Sequence, residues 1–247
     1  MKEITSLSNP YIKNLEKLYD KKTRVEANLY LIEGYHLINE AKAANVLKTV
    51  LITNADDRID EVENIIVNKE IIKKLTKTKS PQGIIGICSV NMIKPFKGNR
   101  ILILDDINDP GNLGTLLRTA LGFNFTNIVL SENSVDVYND KVIRACQGAH
   151  FKLNIKYGNL IEIISDLKAN GFYIIGTALN TIDNLKDIKL QEKYALILGN
   201  EANGVSEVVG NLSDINVKIN INENLESLNV GIAGAIIMHH IDELVGL

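Results

Sequence analysis

Tryptophan is absent from this 247-residue chain, and only two cysteines, four prolines and four histidines occur in it. Cys88 and Cys146 show no C-x-x-C spacing and are read as having no paired histidine, which argues against a disulfide framework or a cysteine-based zinc site and fits a reducing compartment. No apolar run approaches the roughly 18 residues of a membrane-spanning helix. The opening MKEITSLSNP carries no apolar core behind its charges, so no signal peptide is expected and the expected location is cytoplasmic. Charge of one sign is lacking too. The 27 Lys+Arg and 30 Asp+Glu leave a net of −3, which argues against a uniformly basic nucleic-acid binder, and 45% hydrophobic content argues against disorder.

What is present is enough chain for one or two domains with sizeable cores. The charge divides unevenly along it. Residues 1–97 hold 16 Lys+Arg and 12 Asp+Glu, a net of +4, whereas residues 98–247 hold 11 and 18, a net of −7. A basic half hints at a polyanionic partner. Lys13, Lys17, Lys21, Lys22 and Arg24 form one basic stretch, and Lys73, Lys74, Lys77 and Lys79 another, although any one of them is equally well a solvated helix position.

Periodicity predicts a helix near Tyr11–Tyr19, a strand at 29–34, a helix at 36–44, a strand at 46–53, strand running into helix over 65–78, and a strand within 80–90. This is a small α/β domain, 1–92, and the aperiodic NMIKPFKGN (91–99) reads as the boundary. The second domain, 98–247, alternates more cleanly. RILILDDI (100–107), NIVLS (127–131), FYIIGTAL (172–179), YALILGNE (194–201) and INVKIN (215–220) read as buried strands. Helices are expected at 115–123, 140–148, 160–170 and from about Asn229 to Leu244, which predicts a mostly parallel sheet.

Three segments carry more Gly, Asn and acid than such a core requires. NDPGNLG (108–114) follows a buried strand and precedes a helix containing Arg118, the place where open α/β sheets bind ligands. It reads as a loop with an anion-favouring helix start, or as an ordinary turn. LGNEANG (198–204) follows another buried strand, and NENLESLN (222–229) precedes the last helix, where Ser227 or Asn229 would serve as an N-cap. No Walker-type Lys-Ser/Thr and no G-x-G-x-x-G is present, which disfavours a Rossmann-type nucleotide enzyme.

Together NDPGNLGTLLRTA (108–120), LILGNEANGVSE (196–207) and ESLNVGIAGAI (226–236) resemble the three signature motifs of the SpoU family of RNA ribose 2′-O-methyltransferases, within the SPOUT superfamily. YLIEGYHLINEA (30–41) and TKTKSPQGIIGI (76–87) resemble that family's RNA substrate-binding domain. The resemblance implies an α/β-knot, a trefoil-knotted domain of a kind the usual connection rules exclude. It implies S-adenosylmethionine bound near Thr177, Ala178, Leu198, Gly199, Asn200, Gly204, Ile219 and Leu228, and a catalytic set of Asn112, Arg118, Glu201, Ser227 and Asn229. In that set Asn229 and Ser227 would orient the ribose, and Glu201 would fix Asn112 or Arg118. A free guanidinium titrates above about 12, so phosphate anchoring and oxyanion stabilisation suit Arg118 better than general-base work. The resemblance further implies a homodimer built through the knotted domain and no metal. Ribosomal RNA, 23S first, is the expected substrate; transfer RNA is the near alternative and a non-catalytic RNA-binding protein the distant one.

Four positions depart from the family pattern. Glycine is usual where Ala202 and Asn124 stand, while Ser and Ala are usual where Gly231 and Gly234 stand. Arg144 falls near the first motif in sheet order and is a further candidate for RNA contact. His36, His150, His239 and His240 have no motif support and read as surface or packing residues.

Overall fold

The computed structural model describes residues 2–90 and 94–245. The first elements are β1 (Lys2–Ile4), α1 (Pro10–Lys17), α2 (Lys21–Ala27), β2 (Leu29–Glu33), α3 (Tyr35–Ala43), β3 (Leu47–Ile52), β4 (Glu63–Val67), α4 (Lys69–Leu75) and β5 (Ile84–Ser89). There follow β6 (Arg100–Leu104), α5 (Pro110–Gly122), β7 (Asn127–Leu130), α6 (Asp140–Cys146), β8 (Asn154–Tyr157), α7 (Leu160–Ala169), β9 (Tyr173–Thr177), β10 (Tyr194–Leu198), α8 (Glu207–Gly210), β11 (Ile215–Val217) and α9 (Val230–Val245). They form two compact units, Met1–Met92 with Tyr138–Phe151, and Ile93–Val137 with Lys152–Leu247.

The first unit is a three-layer sandwich. Its sheet runs β1-β4-β3-β5-β2, with β5 antiparallel to both neighbours and the other pairs parallel. Side chains alternate between its faces with the two-residue period of a strand. Leu31, Leu51, Ile65, Ile85 and Ile87 meet Ile12 and Leu15 of α1 and Ile71 and Leu75 of α4 on one side. Tyr30, Ile32, Val50, Ile52 and Ile84 meet Leu37 and Ile38 of α3, and Ile143 of α6 with Phe151, on the other. The stretch 138–151, which chain order assigns to the second half, therefore completes the first unit's core.

That stretch also carries a buried polar cluster. His150 is 1% exposed, and its Nε2 lies 3.2 Å from the Tyr30 hydroxyl and its Nδ1 3.2 Å from Cys146 Sγ. The sequence reading of an unpaired Cys146 is thus corrected: the spacing of four residues, with Gln147 and Gly148 turning the chain at positive φ, folds His150 back onto the thiol. Burial lowers the His150 pKa to about 3 and raises that of Cys146, so the pair is neutral and unreactive at neutral pH.

A second correction concerns Arg24. Proposed as part of a basic surface, it is 5% exposed, and its guanidinium donates to the carbonyls of Leu18 and Tyr19, both at 2.9 Å. It satisfies the C-terminal end of α1 rather than meeting solvent. The sequence pattern missed α2, which is too short to show periodicity, and also the short strands β1 and β8.

The second unit has a six-stranded, all-parallel sheet ordered β11-β9-β10-β6-β7-β8. Strands β6 and β10 lie inside it, so Ile101–Leu104 and Ala195–Ile197 are fully buried, as an apolar run without alternation predicts. Of the expected 91–99 boundary, 91–93 lie outside the described residues. Residues 94–99 are pinned to the sheet: Lys94 N–H donates to Asn154 Oδ1 (3.1 Å), Lys97 N–H donates to Asn127 Oδ1 (3.3 Å), and the two asparagine amides bond back to the carbonyls of Lys94 and Lys97.

Helix α9 buries Val230, Gly234, Ile237, Met238 and Ile241 along one stripe and packs on α5. A Cβ at Gly234 would come within 2.5 Å of Leu116 Cδ2 and 2.7 Å of Leu198 Cδ1, so glycine is what lets α9 approach. Asn124 adopts the left-handed conformation (φ 63), which asparagine tolerates. Ala202 has no positive φ, so alanine fits there without strain. No helix among the described residues is long and apolar enough to cross a membrane.

The depressed His150 value sets a pH dependence. Between about pH 6.5 and 3 the unfolded chain binds a proton that the folded chain refuses, so this contribution to stability is complete above that interval and falls as pH drops through it. Urea unfolding should therefore weaken from pH 7 to pH 5 by up to about 1.4 kcal/mol per unit, and His150→Gln should flatten the slope. An identical slope in the variant would refute the assignment.

Candidate functional site

Three segments distant in sequence meet at the C-terminal ends of β6 and β10. The first is the start of α5. The expected loop 108–114 is in fact already helical from Pro110: proline suits the first helical position, where an N–H would have no partner, and Asp109 Oδ1 caps the turn by accepting the Asn112 main-chain N–H at 2.8 Å. Pro and two Gly suggested a loop, but here they begin a helix.

The second segment is the turn after β10, and Asn200 organises it. Its main chain exchanges two hydrogen bonds with Gly204 (2.9 and 2.8 Å), its Oδ1 accepts from the N–H of Ala202 (2.9 Å) and Asn203 (3.2 Å), and its Nδ2 donates to the Asp106 carbonyl at 2.8 Å. A Cβ on Gly199 would lie 2.0 Å from Val205 N, so only glycine permits the turn to close. The side chain of Asn200, expected at a cofactor, is thus spent inside the turn. Two aspartates that the motif reading passed over anchor the same place. Asp105 is buried and its Oδ2 accepts the Ser206 N–H at 2.8 Å; Asp106, left-handed at φ 54, accepts from Ser131 Oγ at 2.7 Å. Two acids closing a buried strand were the signal available.

The third segment leads into α9. Asn229 Oδ1 accepts the N–H groups of Gly231 (2.9 Å) and Ile232 (3.3 Å), capping the helix, while its Nδ2 donates to Asn112 Oδ1 at 2.9 Å. Asn112 Nδ2 donates in turn to Glu201 Oε1 at 2.9 Å. The direction of this relay is dictated chemically. An ionised carboxylate only accepts, so Asn112 must present nitrogen to Glu201 and oxygen to Asn229, and Asn229 must present oxygen to the helix. Each amide retains one N–H, and the relay is open to solvent.

Beside it lies a cavity of about 380 Å³, a size typical of small-molecule sites. All eight expected cofactor positions line it: Thr177, Ala178, Leu198, Gly199, Asn200, Gly204, Ile219 and Leu228. Ser227 and Glu201 also line it. Its walls are apolar at Leu198, Ile219, Leu228, Val230 and Ile237, and the main-chain N–H groups of Ile219, Ser227 and Leu228 donate to no acceptor among the described residues. Apolar walls with spare main-chain donors suit a flat heteroaromatic group bearing ring acceptors, as S-adenosylmethionine does. Sequence reasoning missed Leu179, Asn180 and Lys218, the one cationic residue in the lining.

The structure thus brings Asn112, Glu201 and Asn229 into direct contact and puts Ser227 in the cavity wall. Arg118 stands apart, exposed on α5 about 9 Å along its axis from Asn112, with no hydrogen-bond or ion-pair partner for its guanidinium among the described residues. Arg144 lies in the first unit, paired with Asp140 at 2.7 Å. No cluster of His, Cys, Asp or Glu suited to a metal ion occurs among the described residues.

Residues 99–239 match the model of the SpoU rRNA Methylase family, and residues 9–86 match an MRM3-like substrate binding domain. The 23S rRNA (guanosine(2553)-2′-O)-methyltransferase RlmP of Bacillus subtilis is 34% identical over 246 residues, covering 98% of this chain and 99% of that protein. An rRNA methyltransferase from Sinorhizobium meliloti superposes with a TM-score of 0.90 at 26% identity, covering 99% of this chain and 98% of that one. The AdoMet-bound form of the Sinorhizobium enzyme gives 0.90 at 27% identity with the same coverage.

Asn112→Ala should untie the three segments without unfolding the protein, because the bonds lost are open to water and worth about 0.5–1.5 kcal/mol each. Amide exchange by mass spectrometry should quicken at 199–205 and 226–232 while the unfolding midpoint moves little. Unchanged exchange at both segments would mean the relay does not hold them.

Proposed function

The chain belongs to the SpoU rRNA Methylase family, and from that premise we propose that it methylates a ribose 2′-hydroxyl of RNA, 23S ribosomal RNA first, using S-adenosylmethionine. The observation that carries this reading is the relay from Glu201 through Asn112 to Asn229 beside a cavity lined by every expected cofactor position.

When bound, S-adenosylmethionine supplies a methyl group activated by a sulfonium. The protein's share is to position and desolvate the 2′-hydroxyl and to stabilise its oxygen while the proton it loses passes to water, and positioning alone can lower a barrier by about 7–11 kcal/mol. Asn112 and Asn229 each keep one amide N–H, and Ser227 adds a hydroxyl, so the three offer donors to ribose oxygens. Glu201 holds the Asn112 amide in one orientation. Arg118, exposed and without a partner for its guanidinium among the described residues, would anchor a phosphate and stabilise the developing oxyanion.

We read the second unit as an α/β-knot. Support comes from its parallel sheet, in which β11 lies beside β9, and from a single cavity lined by the segments that follow β9, β10 and β11. We read the first unit as the RNA-binding domain, supported by its match to a substrate-binding domain and by its basic charge. A homodimer through α9 is supported by Ile232, Ile236 and Leu244, which recur at four- and eight-residue spacing on its outer side and are 52%, 40% and 43% exposed.

Arg118→Ala should abolish methyl transfer in a tritiated-methyl assay on ribosomal RNA and leave S-adenosylmethionine affinity within about a few-fold by calorimetry; undiminished transfer would sink the catalytic assignment. Mapping 2′-O-methyl groups in cells with and without the gene tests the substrate, and the guanosine named for the Bacillus subtilis relative is the first position to inspect. A methyl group lost only from transfer RNA would move the assignment there. Ile232→Asp combined with Ile236→Asp should give a monomer by light scattering; a persistent dimer would place the interface elsewhere.

A further inference from the structure

The two basic stretches of the first unit are separated by about fifty residues of sequence, yet the fold joins them. Helices α1 and α4 lie side by side on one face of the sheet. Lys74 Nζ bridges to Glu16 at 3.0 Å, and Tyr19 donates its hydroxyl to the Leu75 carbonyl at 2.7 Å. Lys77 then lies over the Tyr19 ring, 4.5 Å from its centroid. These contacts fix the end of α1 against the end of α4 and hold the lysines of both in one layer.

Six lysines on this layer are exposed and have no anionic partner among the described residues: Lys13 and Lys17 on α1, Lys69 and Lys73 on α4, and Lys77 and Lys79 in the turn that follows. Lys13 and Lys17 are four residues apart, as are Lys69 and Lys73, so each pair shares a helix face with a step of about 6 Å, the scale of the distance between successive phosphates. Of the acids on these two helices, Glu16 is taken by Lys74 and Glu70 is exposed in the first turn of α4, where it favours the helix N-terminus; Asp20, just beyond α1, caps α2. Ammonium groups standing in rows on a rigid layer, with no anionic partner among the described residues, suit a string of negative charges, and as compact charges on flexible stems they lack the rigid planar fork that matches a base edge.

We propose that the α1/α4 layer is the face on which the first unit holds the phosphate backbone of its RNA, independently of base sequence. The proposal rests on the RNA-methylation reading for the identity of the polyanion, but its test does not need methyl transfer.

The full-length protein is titrated with ribosomal RNA over a series of salt concentrations, and the slope of log affinity against log salt is read. K13Q/K17Q/K69Q/K73Q should reduce the magnitude of that slope by about 2–3, since each phosphate contact to single-stranded RNA contributes about 0.7. The affinity near physiological salt should fall at least about ten-fold. Circular dichroism and S-adenosylmethionine affinity should match the parent, because these side chains are exposed and outside the cavity. K42Q/K48Q, which changes one half-buried and one exposed lysine elsewhere on the unit, serves as the control and should leave the slope alone. A parental slope in the quadruple variant, or an equal loss per charge in the control, overturns the proposal. A parent that binds RNA with this salt dependence but methylates none would instead overturn the functional reading and leave the face standing.

Discussion

The carboxylate of Glu201 is the constraint from which the site's order follows. As an acceptor without a donor, it fixes which end of the Asn112 amide it meets, and that choice propagates to Asn229 and into the first turn of α9. Three segments spread over 117 residues of sequence thereby share one hydrogen-bond polarity. Replacing the acid with an amide would keep that direction, because the N–H groups that open α9 can only donate to Asn229 Oδ1, but it would exchange a charged acceptor for a weaker neutral one. The free N–H groups left over are therefore defined by a group that need not touch a substrate itself.

Behind that relay stands a second tier that holds the turns rather than the ligand. Asn200 spends its side-chain oxygen on its own turn and one amide N–H on Asp106, Asp105 fixes the entrance to α8, and Gly199 and Gly234 let backbone and helix approach where any larger residue would collide. The cavity inherits its shape from these contacts, which is why its lining can be mostly apolar and main-chain. A binding site made this way depends less on the identity of its wall residues than on the closure of its loops.

How much of this was legible follows from what each signal measures. The buried strands of the second unit were plain, because runs such as 101–104 and 195–197 are apolar on both faces, and the three motifs marked the ends of those strands. The start of α5 was misread because Pro110, Gly111 and Gly114 look like loop residues one at a time, whereas proline at a helix start is favourable. Arg24 was misread because charge in a sequence says nothing about which backbone carbonyls need a donor. The Cys146–His150 contact depends on a left-handed turn at Gln147, and Asp105 and Asp106 matter through main-chain partners far away. Local pattern gives element type and composition gives partner class; long-range pairing of polar groups is visible only in three dimensions.

The composition of the first unit from 1–92 and 138–151 also bears on how the chain is made. During synthesis the sheet and its α1/α4 side emerge early, but Tyr30, Val50, Ile52 and Ile84 lack part of their cover until Ile143 and Phe151 have been added. At a translation rate of about 5–20 residues per second that interval lasts roughly 3–12 s. Throughout it the nascent chain carries a half-covered apolar sheet while β6, α5 and β7 are being added. The window for misassociation, and for chaperone engagement, is thus written into the order of the chain rather than into the stability of the finished fold.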